Sequence, residues 1–168
     1  MRKRPLIGAG AGALAAVLVL GLAGAARAES LFADDFNDGN AGGWSKSGGD
    51  WSVVGDGTPA FQQGNTGSEL ARQFAGKTSW TDYSVQARVK PLSFNGSNRL
   101  VAIAARSSSA TKMYRLALTN ANRAELQVVN GGSVTVLGSA ALTVATGTWY
   151  TLRIEASGSS IRGLVNGS

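Results

Sequence analysis

Eight consecutive residues decide the class of fold. In Tyr83-Ser84-Val85-Gln86-Ala87-Arg88-Val89-Lys90, closed by Pro91, every second residue is apolar and those between are polar. Side chains of a strand point alternately to its two faces. A period of two this regular puts Tyr83, Val85, Ala87 and Val89 on a core and leaves Ser84, Gln86, Arg88 and Lys90 wet. From Glu29 onward no run carries apolar residues at helical spacing. Short alternating runs recur instead, broken by Gly, Asn, Ser and Asp, the pattern of an all-β sandwich or barrel. Residues 100–105 are apolar on both faces and are expected at the centre of a sheet. Residues 114–119 and 124–129 are joined through the turn-prone Asn120-Ala121-Asn122, and Asn130-Gly131-Gly132 turns the chain into 133–137 as a hairpin. Residues 149–156 alternate again, and Ser157-Gly158-Ser159 leads into 161–165. Shorter strands are expected at 31–36, 51–54, 60–63 and 69–73. Trp51 and Trp149 open apolar strands and read as core.

The first 28 residues stand apart. Arg2, Lys3 and Arg4 precede an apolar run over 6–24, which ends on the small-residue pattern Ala26-Arg27-Ala28. This is the layout of a secretory signal peptide cleaved before Glu29. A membrane anchor is the alternative. The run only reaches the lower limit for spanning a bilayer, and five glycines (8, 10, 12, 21 and 24) dilute it. The expectation is a secreted, extracellular, monomeric domain over 29–168, with no membrane association after cleavage. All ten acids lie in 29–168, but four of the sixteen bases lie in the leader. The remainder therefore carries twelve bases against ten acids, a net charge of +2. No dense basic patch remains to hold phosphates, so nucleic acid is not an expected partner.

The chain has no Cys and no His. An exported domain without disulfides must rest on its own core; a domain of this size buries about two thirds of its unfolded surface. The missing residue types exclude a thiolate nucleophile, a Ser-His-Asp triad, a histidine base and a zinc site built on Cys or His. The sequence closes on Val165-Asn166-Gly167-Ser168, where Asn-Gly is a strong hairpin signal. A return strand is expected to follow, so the sandwich reads as truncated at its C-terminus.

Three segments carry a family resemblance. "LFADDFNDGNAGGWSKSGGDWSVVGDG" is similar to the first strand and loop, "TSWTDYSVQARVKPLSFNGSNRLVAIAARSS" to the central strand pair, and "GTWYTLRIEASGSSIRGLVNG" to the late hairpin of laminin-G-like, or concanavalin-like, modules of secreted bacterial polysaccharide-degrading proteins. The resemblance covers nearly all of 31–167. It implies a two-sheet antiparallel jelly-roll sandwich of the kind attached to pectate lyases, other polysaccharide lyases and glycoside hydrolases. It also implies a final strand that pairs near the first.

Candidate functional residues follow from chemistry. Glycoside hydrolysis needs two carboxylates about 5–9.5 Å apart. The strand acids Glu69, Glu125 and Glu155 are isolated, and the Glu-x-Asp-x-x-Glu string of jelly-roll glucanases is absent. Glu155 reads as one half of a cross-strand ion pair. A lyase needs a base and a cation that neutralises a uronate carboxyl. The Ser-Glu-Leu-Ala-Arg string at 68–72 is similar to an arginine-bearing strand of jelly-roll alginate lyases, but the accompanying His is missing; Tyr83 and Tyr114 read as core tyrosines. Asp34, Asp35 and Asp38 place hard oxygens close together, a candidate structural Ca²⁺ site, although self-capping turns account for them equally. No other cofactor is expected. Sugars stack on aromatic faces, which makes the loop residues Trp44 and Trp80 candidates. Gln86, Arg88, Arg106, Arg115, Gln127, Arg153 and Arg162 stand on wet strand faces, where arginine forks hold carboxylates; the first four are the candidates for the saccharide. The function expected is a non-catalytic carbohydrate-binding module for an extracellular polysaccharide, pectin or another uronate polymer. The alternatives are the N-terminal part of a polysaccharide lyase or glycoside hydrolase with its catalytic domain downstream, and a structural or adhesion domain.

Overall fold

The computed structural model describes residues 17–21, 29–65, 67 and 70–168. Thirteen strands follow in order: β1 Val17–Gly21, β2 Ser30–Asp34, β3 Ser45–Ser47, β4 Trp51–Asp56, β5 Thr58–Gln63, β6 Arg72–Phe74, β7 Tyr83–Val89, β8 Leu100–Ser109, β9 Lys112–Thr119, β10 Arg123–Asn130, β11 Ser133–Ala141, β12 Tyr150–Ser157 and β13 Ser160–Val165. No helix occurs among the described residues. One sheet has the order β13-β12-β7-β1-β2 and the other β11-β10-β9-β8; β3-β6 and β4-β5 form two-stranded ribbons. Every pairing is antiparallel. After β7 the chain crosses to build the whole four-stranded sheet, then returns as β12 beside β7. This is the expected all-β jelly-roll sandwich.

Alternation sets the core. Tyr83, Val85, Ala87 and Val89 of β7 meet Val101, Ile103 and Ala105 of β8, Leu116 and Leu118 of β9, and Tyr150, Leu152 and Ile154 of β12 in one cluster. Gly163 closes the gap between the sheets: a Cβ there would stand 2.9 Å from Leu116 Cδ1. The hairpin turns carry the left-handed backbone their residues favour, with φ of 61° and 88° at Gly131 and Gly132 and of 53° and 93° at Asn166 and Gly167. On the outer face of the five-stranded sheet, Arg153 Nη2 lies 2.9 Å and Arg162 Nη1 4.0 Å from Glu155, the ion pairing read from the alternation.

Several expectations are corrected. Residues 100–105 are not central: β8 is an edge of the four-stranded sheet. Its second apolar face, Ala102 and Ala104, lines a cavity instead of packing on another layer. Trp149 is not core. It lies half-buried with Arg88 4.8 Å and Lys90 5.0 Å from its ring centroid, so two cations cover the indole. The strand expected at 69–73 is β6, a short partner of β3. Ser68 and Glu69 lie outside the described residues, as does the leader apart from 17–21. Those five residues form β1, between β7 and β2.

Candidate functional site

The edge position of β8 exposes the outer face of the four-stranded sheet to a cavity of about 1180 Å³. Since Ile103 and Leu116 point to the core, the residues next to them point away from it. The register then brings Ala104 opposite Arg115 and Arg115 opposite Gln127; one step along, Ala102 lies opposite Ala117 and Ala117 opposite Glu125. Ala102 and Ala104 line the cavity together with Arg115, whereas Ala117 is fully buried and Gln127 and Glu125 continue the same face behind Arg115. Leu70, Ala71 and Arg72 line the facing side. The cavity curls round the β8 edge and continues between the sheets, where Val85, Ala87, Phe61, Trp44 and Trp80 line it.

The polar groups on this face are held by one another. Arg115 Nε donates to Gln127 Oε1 at 2.6 Å, and Gln127 Nε2 donates to Glu125 Oε2 at 2.6 Å. Glu125 Oε1 lies 3.6 Å from Arg123 Nε. Gln127 is 5% exposed, so its amide orientation is dictated by these two bonds. Burial pushes the Arg115 guanidinium below the ordinary arginine range; the charge of Arg72 pushes it the same way, and Glu125 opposes both. The two Nη groups of Arg115 have no hydrogen-bond partner among the described residues. A desolvated cation with a second cation near it and free N–H groups is arranged to meet an oxygen-rich, preferably anionic, ligand.

The other sequence candidates are scattered. Trp44 lines the same cavity, but its ring packs against Phe32, Phe36 and Phe61, and its Nε1 donates to Asp34 Oδ2 at 2.8 Å. Trp80 lines it too, with its ring centroid 6.0 Å from that of Tyr83. Arg106 is at its rim and acts as a clamp: Nε donates to Thr81 O at 2.9 Å, Nη2 to Asp82 Oδ1 at 3.2 Å, and the backbone N–H to the Tyr83 hydroxyl. Gln86 and Arg88 are elsewhere, on the outer face of the five-stranded sheet. Asp34, Asp35 and Asp38 spend their carboxylates on their own turn, accepting from the backbone N–H of Phe36, Asn37 and Asn40 at 2.9, 3.1 and 3.0 Å. Among the described residues no group of three or more acidic side chains converges as metal ligands would.

Sequence reasoning named Arg72 in the 68–72 string, Gln127 on a wet strand face and Glu125 as an isolated strand acid, but did not bring the three together. A signal for two of them exists. With the turn centred on Ala121, a tight hairpin pairs 115 with 127 and 117 with 125, so Arg115, Gln127 and Glu125 share a face by register alone. Arg72 has no such signal, because its approach depends on how the segment before β7 folds over the sheet.

A family model described as "3-keto-alpha-glucoside-1,2-lyase-like domain" matches residues 29–168 of this chain. A solved structure, the carbohydrate binding module CBM66 from Bacillus subtilis, is similar at 13% identity and a TM-score of 0.49, with 74% of this chain and 74% of that one covered. No curated protein matches the chain.

Proposed function

The chain belongs to the 3-keto-alpha-glucoside-1,2-lyase-like domain family, and from that premise we propose that its sandwich is a carbohydrate-binding domain whose saccharide lies across the outer face of β8, β9 and β10. The observation that carries this reading is Arg115, held by the Gln127–Glu125 relay beside Ala102 and Ala104 in the cavity wall. Sugar rings offer flat patches of C–H to an apolar floor and hydroxyls at their rims. Alanine lets a ring approach the backbone closely, while Arg115, oriented by Gln127, supplies the polar partner. The Nη groups, without a hydrogen-bond partner among the described residues and with Arg72 near them, favour a carboxylate, which supports a uronate polymer such as pectin as the ligand. The start of the family match at residue 29 fits export with removal of residues 1–28.

Affinity electrophoresis of the purified protein in polygalacturonate, xylan, levan and β-glucan tests the proposal. Retardation is expected, strongest in polygalacturonate, with a loss of tenfold or more in Arg115→Ala. Unretarded migration in all four would refute it.

A second reading, catalysis of the kind named by the family, is favoured by the match itself. A 3-keto group acidifies the neighbouring C2–H, so elimination across C1 and C2 needs a base for that proton. Glu125 is the carboxylate within the relay. Turnover of a 3-keto-α-glucoside by the purified protein, abolished in Glu125→Gln, would establish this reading; no turnover leaves binding alone.

A further inference from the structure

Three Asn-Gly pairs occur in the sequence: Asn95-Gly96, Asn130-Gly131 and Asn166-Gly167. An asparagine in this setting can lose its side-chain amide to the chain itself, because glycine leaves the following backbone nitrogen uncrowded. The structure treats the three pairs differently. Asn166 is locked: its backbone N–H donates to Thr151 O at 2.8 Å, and its Oδ1 accepts from Thr151 N at 2.9 Å. Asn130 ends β10 and is held in the ladder between Ser133 and Lys112. Asn95 is exposed in the loop between β7 and β8, and neither its carboxamide nor the Gly96 N–H has a hydrogen-bond partner among the described residues. Its backbone carbonyl does have one: Arg99 Nε donates to Asn95 O at 2.8 Å. Asn120, just after β9, fixes this arrangement. Its Oδ1 accepts from Arg99 N at 3.1 Å, and its Nδ2 donates to Gly96 O at 2.8 Å. Among the described residues, this pair alone of the three carries a cation on the carbonyl that links its two residues.

We infer that Asn95-Gly96 is a site of self-modification, an intramolecular deamidation in which Arg99 stabilises the nucleophile. The Gly96 N–H gives its proton to a base in solvent. The negative charge left on the amide spreads over Gly96 N and Asn95 O through the same resonance that keeps a peptide planar. Asn95 O is the atom that Arg99 holds, so the guanidinium meets the charge where it develops. Gly96 N then attacks Asn95 Cγ. The N–Cγ bond forms, the Cγ–Nδ2 bond breaks, and Nδ2 leaves as ammonia with a proton from water. The product is a five-membered succinimide. Water opens it at Cγ to give aspartate, or at the backbone carbonyl to give isoaspartate, with the chain running through the former side chain. The net reaction consumes a water and releases an ammonia, with no change of oxidation state. Either product puts a carboxylate ahead of Arg99, and isoaspartate adds a carbon to the main chain where it approaches β8. This inference stands apart from saccharide binding.

Incubation of the purified protein in mildly alkaline buffer tests it, with the three sites followed by digestion, mass spectrometry and enzymatic methylation of isoaspartate. Asn95 should deamidate fastest of the three. In Arg99→Gln the Asn95 rate should fall about tenfold, the worth of one hydrogen bond from a charged donor, while the Asn130 rate holds. Arg99→Lys should recover part of the loss. In urea, which takes Arg99 off Asn95 O, wild type and Arg99→Gln should react alike at Asn95. Should Arg99→Gln not fold, the wild-type chain gives the comparison alone: the ratio of the Asn95 rate to the Asn130 rate should be several times larger folded than in urea. An Asn95 rate no faster than that of Asn130, an Asn95 rate unchanged in folded Arg99→Gln, or a ratio as large in urea as in the folded chain overturns the inference.

Discussion

Arg115 shows how one side chain comes to face a candidate site. Its strand position gives it an outward direction, Gln127 fixes its Nε, and burial beside Arg72 leaves its charge short of solvent. Its protonated form is disfavoured by folding, but the depressed value belongs to an arginine, so the group stays cationic through the neutral range and binding should not titrate there. Salt, by contrast, screens the approach of a polyanion to Arg115 and Arg72. Retention on polygalacturonate should fall steadily between 50 and 500 mM NaCl, as measured by affinity electrophoresis, and fall less in Arg72→Gln. Arg115→Lys should recover only part of the affinity lost in Arg115→Ala, since a point charge replaces a fork. Gly76 gives a second prediction at this scale. It has φ +91°, and a Cβ there would lie 2.3 Å from the Trp80 ring. Gly76→Ala should destabilise the fold by about 1–3 kcal/mol in urea unfolding and shift the tryptophan emission. The outward direction of Arg115 was legible from alternation. The aromatic packing of Trp44 and the clamp made by Arg106 were not, because both depend on contacts between segments distant in sequence.

Between the elements, hairpins were the most legible part. β9, β10 and β11 lie within one or two residues of their expected starts, since Asn and Gly at the turns name both the turn and the register. Order across the sheet was not legible. Two apolar faces suggested a central place for β8, whereas one of them lines a cavity at a sheet edge. The start of β12 shows the same limit, since Trp149, just before it, turns to the outer face under Arg88 and Lys90. Trp149→Ala should cost about 1–2 kcal/mol by urea unfolding, the sum of two partly exposed cation–π contacts. β11 is an edge strand of nine uncharged residues, exposed throughout, with Val134 and Val136 47% and 49% exposed. Such edges pair with other chains. Val134→Lys should lower concentration-dependent light scattering without changing the unfolding midpoint.

For the whole molecule, the two sheets divide the labour. The clustered interior carries stability: Leu152 is fully buried between the sheets, and Leu152→Ala should cost about 2–5 kcal/mol. The outer face of the four-stranded sheet is the proposed recognition surface, so Arg115→Ala should lose binding while keeping the unfolding midpoint. That separation is read most directly from backbone amide shifts of the purified protein titrated with oligogalacturonate. Perturbations centred on Ala102, Ala104, Arg115 and Gln127, and lost in Arg115→Ala, are the expected result. Perturbations centred on Gln86, Arg88 and Arg153 of the opposite sheet, or none at saturating oligosaccharide, would contradict it.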